Sequence, residues 1–189
     1  MNEGRTADAG GMTGALRVSA LIDETTRRLS RVADFAVLAA LLISAANAIS
    51  RYAASYSSNA FLEIQWYLFG AMVLLGGAHT LRLDGHVRVD VVYGSLSERA
   101  RLKIDVFGLV LFLLPVCLLL TALSIPFFWH SLLSGERSNN AGGLILWPAK
   151  LPLGFGLMTL QGVSELIKRI AALRGATTGH EGHPAPPAA

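Results

Sequence analysis

The sequence predicts an all-α integral membrane protein of four transmembrane helices, with a cytoplasmic amphipathic segment between the second and third. Composition is the first reason. Hydrophobic residues fill 52% of the 189 positions against 15% charged, and mean hydropathy is +0.48, in a chain of roughly one domain's length. Apolar runs are the second. Those near 32–51, 61–81, 104–133 and 151–170 each reach the about 20 residues that a helix rising about 1.5 Å per residue needs to cross roughly 30 Å of hydrocarbon. The runs are apolar all round, whereas a barrel strand alternates over about ten positions.

Residues 1–27 read as a disordered cytoplasmic tail, since Met1 to Gly14 is rich in Gly, Ala, Asp and Thr and shows no periodicity. The membrane domain covers 28–173. In its first span Ala36, Ala40, Ser44 and Ala48 recur every fourth residue, a small-residue stripe that lets another helix approach closely. Ala46-Asn47-Ala48 resembles a signal-peptidase site, but a basic lead-in of about 30 residues is long for a signal peptide, so the span reads as uncleaved.

The third run carries no formal charge between Asp105 and Glu136, roughly 45 Å of straight helix. That exceeds the hydrocarbon and predicts tilt, protrusion, or bending at Pro115 and Pro126. Pro115 leaves the carbonyl one turn earlier without its donor. Ser138 to Gly143 reads as a turn-rich outer loop, with Trp147 at interfacial depth and Pro148 near the start of the fourth helix. Residues 174–189 read as a second disordered tail.

Basic residues decide orientation. Arg5, Arg17, Arg27, Arg28 and Arg31 precede the first span; Arg82, Arg88, Arg99, Arg101 and Lys103 follow the second; Lys168, Arg169 and Arg174 close the fourth. The other two loops offer Arg51, Arg137 and Lys150, so both termini are expected in the cytoplasm. The formal charge of +3 arises beside the spans and forms no stripe with interleaved aromatics, which argues against nucleic acid.

Between Arg82 and Lys103 lies the hinge. Val89, Val92, Tyr93 and Leu96 share one helical face while Asp90, Gly94, Ser97 and Arg101 share another, a pattern that lies along a membrane surface. Ser95 and Glu98 have capping-box spacing, placing a helix start there. Asp84, His86 and Asp90 have metal-ligand chemistry, but pairing with Arg82 and Arg88 is the simpler reading. No nucleophile motif or phosphate cradle accompanies them. The lone Cys117 excludes an internal disulfide. The sequence therefore predicts neither enzyme, nor metal, nor cofactor.

Ionisable groups at mid-bilayer usually mark an ion or substrate path. Asp34, Arg51, Glu63, Glu165 and Lys168 all fall toward span ends, leaving Asn47 and Gln161 as the deeper polar groups, suited to hydrogen bonds between helices. An accessory role follows. Two alternatives remain: a haem-bearing electron-transfer subunit using His79 and His130, which this topology separates by roughly 25 Å in depth, and a small homodimeric exporter relying on Glu63.

Glu63, Trp66-Tyr67-Leu68-Phe69, Leu75-Gly76-Gly77-Ala78, Leu81-Arg82 and Gly85-His86-Val87-Arg88-Val89-Asp90 together resemble the small permease subunit of tripartite ATP-independent periplasmic (TRAP) transporters. The resemblance runs from about Arg28 to Ala172. It implies a bacterial inner-membrane protein bracing the fixed scaffold of a separate large permease subunit, during sodium-coupled uptake of an organic acid delivered by a periplasmic binding protein. Glu63, Arg82, His86, Arg88 and Asp90 match its motif positions, with structural rather than catalytic roles. Arg82 and Arg88 would hold lipid phosphates or carboxylates, His86 and Asp90 would fix the turn, and Glu63 would pair with Arg51 or a partner's cation. The large subunit, the binding protein and membrane lipids are the expected partners.

Overall fold

The computed structural model describes residues 3–56, 58–85, 96–138 and 150–175, with side chains from residue 12 onward except that of Lys150. Every described helix or helical turn belongs to an all-α bundle. Its elements are α1 (Glu3–Ala54), α2 (Asn59–Arg82), α3 (Glu98–Gly108), a π-helical turn (Leu109–Leu113), α4 (Leu114–Ser134) and α5 (Lys150–Leu173). The last of these is the hub. It packs against α1, α2, α3, the π turn and α4, while α1 also pairs with α2.

The expected N-terminal tail is corrected: α1 is a single helix of 52 residues, roughly 78 Å long. Ser19 and Thr26, which the tail reading left in solvent, are buried. They recur with Asp23 at spacings of four and three and so share one face. That face is held by hydrogen bonds, which hydrophobic periodicity does not register.

Between α1 and α2 the chain turns through Ser55, at φ 53°, and Ser58, whose side chain accepts the Ala60 amide as N-cap. Beyond α2, the amides of Leu83, Asp84 and Gly85 bond the carbonyls of His79, Leu81 and Thr80. The start of α3 differs from the expected Ser95–Glu98 box. Ser97 is the N-cap and accepts the Ala100 amide, because the cap hydroxyl reaches the third amide of the helix.

At Pro115 the helix is irregular. Just ahead of it the helix widens into the π turn, where the Leu114 amide bonds the Leu109 carbonyl five residues back. The wider turn sets Leu113 and Leu114 against α5 at Gly162, where a Cβ would lie 2.7 Å from Leu113 Cδ2. A second close approach occurs at Gly154, where a Cβ would strike the Cβ of Leu74 on α2. At Gly154 only glycine permits this spacing, whereas at Gly162 the flexible ends of Leu113 and Leu114 would have to give way.

Outward faces carry large apolar side chains, including Phe35 at 71%, Trp66 at 76% and Leu133 at 74% exposure. Such a surface belongs in lipid, so the chain is a membrane protein. Among the described residues, length and composition single out three helical stretches able to cross: Met12–Ala54, Asn59–Arg82 and Glu98–Ser134. The fourth expected span coincides with α5, yet α5 is not among the three. Gln161, Glu165, Lys168 and Arg169 lower its apolarity, and a helix enclosed by its neighbours tolerates them.

The hinge residues His86, Arg88 and Asp90, its amphipathic face from Val89 to Tyr93, Ser95, the outer loop with Trp147 and Pro148, and the C-terminal tail beyond Gly175 lie outside the described residues.

Candidate functional site: an interhelical polar clamp

At one end of the bundle, α5 presents Gln161, Ser164, Glu165, Lys168 and Arg169 at helical spacing toward its neighbours. Asp23 of α1 accepts hydrogen bonds from Gln161 Nε2 at 2.8 Å, Ser164 Oγ at 2.7 Å and Lys168 Nζ at 3.0 Å. Thr26 Oγ1 donates to Gln161 Oε1 at 2.7 Å, and the hydroxyls of Ser19 and Ser164 meet at 2.7 Å. Gln161 and Ser164 are fully enclosed.

The second half of the clamp is ionic. Glu165, 3% exposed, receives Lys168 and Arg169. The same guanidinium extends to Asp105 of α3 at 3.2 Å and to Asp84, just past α2, at 3.3 Å. One Arg thus joins three elements. Its planar fork of five donors suits three carboxylates as a lysine would not.

Asp23 lies ahead of the charge-free run of α1. Burial works against its ionised form, but the hydrogen bonds from Gln161, Ser164 and Lys168 and the Lys168 charge prevail, holding its carboxyl below the usual range. Glu24 beside it is half-exposed and pairs with Arg27 and Arg28.

Of the residues expected to matter, Gln161 forms the interhelical bonds anticipated for it. Asn47 is buried, but its Oδ1 has no partner among the described residues. Glu63 accepts a hydrogen bond from Ser138, just beyond α4, while its anticipated partner Arg51 lies 5.9 Å over the Tyr52 ring. Asp84, expected to pair with Arg82 or Arg88 in preference to a metal, accepts a hydrogen bond from Arg169. Arg82 ends α2 with its Nε buried and unpartnered among the described residues. The small-residue stripe divides: Ala36 is buried and Ala40 half-buried along α2, whereas Ser44 and Ala48 are exposed.

His79 stands three residues from the end of α2. His130 lies in the last turns of α4, whose end approaches Glu63 through Ser138. Glu63 and His79 are roughly 24 Å apart along α2, so the two histidines occupy opposite ends of the bundle.

Sequence reasoning missed the clamp. The signal was present as polar residues recurring at helical spacing on α1 (Ser19, Asp23, Thr26) and on α5, each inside an otherwise apolar or basic segment.

No curated protein matches the chain. Residues 40–172 match the family described as tripartite ATP-independent periplasmic transporters, DctQ component, a stretch that holds all of α2 to α4 and the clamp half on α5. By that match over most of its length, the chain belongs to the DctQ-component family of TRAP transporters.

Proposed function

We propose that the chain is a bracing subunit: it enlarges and steadies the fixed scaffold of a separately encoded large permease subunit, which itself carries out sodium-coupled uptake of an organic acid. A periplasmic binding protein delivers the acid, the membrane is the bacterial inner membrane, both termini face the cytoplasm, and α5 is the fourth span. Family membership supports the TRAP setting. The observation that carries the bracing role is the clamp, in which the buried charges Glu165 and Arg169 are committed to partners on their own and neighbouring elements.

Charges so committed are poor candidates for a moving ion or substrate. They are well suited to holding helices at fixed spacing while another subunit moves. Proteoliposomes containing the large subunit, the binding protein and this chain are expected to take up substrate with sodium, and omitting this chain is expected to abolish or sharply reduce uptake. Uptake by this chain alone would overturn the proposal.

A further inference from the structure

The third apolar run changes the side it buries as it passes through the π turn. After the turn, Cys117, Ser124 and Ser131 are buried at seven-residue intervals, on the face where Thr121 meets Thr159 of α5 at 3.4 Å. Val116, Leu123 and His130, one position earlier in each case, are exposed. Continued back before the turn, the same repeat falls on Val110 and Lys103, yet Val110 is 49% exposed and Lys103 is exposed. The enclosed positions there are Leu109, at 6% exposure, and half-buried Leu102. The buried face has slipped by one residue.

A π turn accounts for a slip of that size. The Leu114 amide bonds the Leu109 carbonyl five residues back instead of four, so one extra residue is taken up locally. Everything before it turns by about 100°, the step of one residue in a helix of 3.6 residues per turn. Pro115 favours the wider turn at this place, because it has no N–H for the carbonyl of Leu111. Asp105 lies four residues before Leu109 and shares its face, and from there its carboxylate reaches Arg169 Nε at 3.2 Å. A regular helix of the same sequence would carry Val110 and Lys103 to α5 and swing Asp105 about 100° aside.

We infer that the π turn is a positioning device: a one-residue phase insertion that rotates α3 relative to α4 and so brings Asp105 into the clamp through Arg169. The two parts of one long helix thereby meet α5 with different chemistry, Thr121 with Leu113 and Leu114 after the turn and a carboxylate before it. An aspartate side chain is too short to reach round a helix about 10 Å across, so the contact depends on phase. This inference concerns the chain's own packing and stands whether or not the chain braces a partner.

Melting of the full chain in detergent tests the device through a double-mutant cycle of Asp105→Asn and Arg169→Gln. In the native background the two changes are expected to be coupled, the combined variant melting at least about 2 °C above the sum of the single losses. Leu111 is 53% exposed; deleting it removes the extra residue while leaving both helical segments in their present phase, so the shortened chain is expected to fold and to keep that coupling. Inserting one alanine after Leu111 turns α3 by about another 100°. There the coupling is expected to vanish, and Ile104→Asp, which moves a carboxylate back onto the α5 face, is expected to raise the melting temperature. Loss of coupling or of folding on deletion, or coupling that survives insertion, would overturn the inference; if the inserted chain does not fold, the deletion alone decides.

Discussion

Asp23 Oδ1 and Ser164 Oγ lie 2.7 Å apart although 141 positions separate them in the chain. Their contact closes the bundle end to end, joining the first helix to the last. Because Asp23 also receives Gln161 and Lys168, the tie depends on several donors converging on one carboxylate.

Replacing Arg169 by Met leaves Glu165, Asp105 and Asp84 without their shared cation. Breaking a buried pair by removing one partner costs about 3–5 kcal/mol, so thermal unfolding in detergent should shift markedly downward. Asp84→Asn should cost under about 1 kcal/mol, because that carboxylate is 50% exposed and exposed pairs contribute little. Equal losses in the two variants would contradict the clamp's hierarchy.

Gln161→Leu removes bonds to Asp23, Thr26 and Glu165 together. Leaving buried groups unsatisfied costs roughly 1–3 kcal/mol each. Combining it with Thr26→Val should cost less than the sum of the single changes, since Thr26 loses its Gln161 partner in either case. Additive losses in a double-mutant cycle would show that the pair is not coupled.

Three glycines should rank in a fixed order on substitution by alanine. Gly154→Ala meets the Cβ of Leu74, close to backbone, and should destabilise by about 1–3 kcal/mol. Gly162→Ala meets only the far ends of Leu113 and Leu114, which can rotate, and should cost less. Gly76→Ala meets nothing within 4 Å and should stabilise by about 0.5–1 kcal/mol through lower backbone entropy. Denaturation midpoints of the three variants check the ranking.

Asp23 also sets a pH dependence. Its carboxyl is held below the usual range, so its contribution is fully present above the unfolded-state value and is lost as pH falls through the lower folded-state value. The stabilisation from the tie between α1 and α5 should therefore be intact at neutral pH, decline as pH falls through the ordinary carboxylate range, and be gone below the folded-state value. Asp23→Asn should flatten that acid limb; an unchanged profile would exclude Asp23 as its source.

Much of this architecture was legible in the residues. The apolar runs placed α2, the long third helix and α5, and Pro115 pointed to the irregularity that became the π turn. Gln161 was recognisable as a polar group among apolar neighbours. The N-terminal half of α1 was not, because Ser19, Asp23 and Thr26 signal burial only when the matching donors of α5 stand opposite. The same blindness affected Arg169, which reads as an orientation signal beside a span until Asp84 and Asp105 are brought to it from positions distant in sequence.

The match to the family begins at residue 40, fourteen or more positions after Ser19, Asp23 and Thr26. A gene fragment cut at that boundary would still encode the aligned helices, yet it would strip Gln161, Ser164 and Lys168 of their α1 partners. The smallest intact unit of this polypeptide is therefore larger than the segment that matches the family, and a shortened chain should begin upstream of Ser19 if it is to keep these ties.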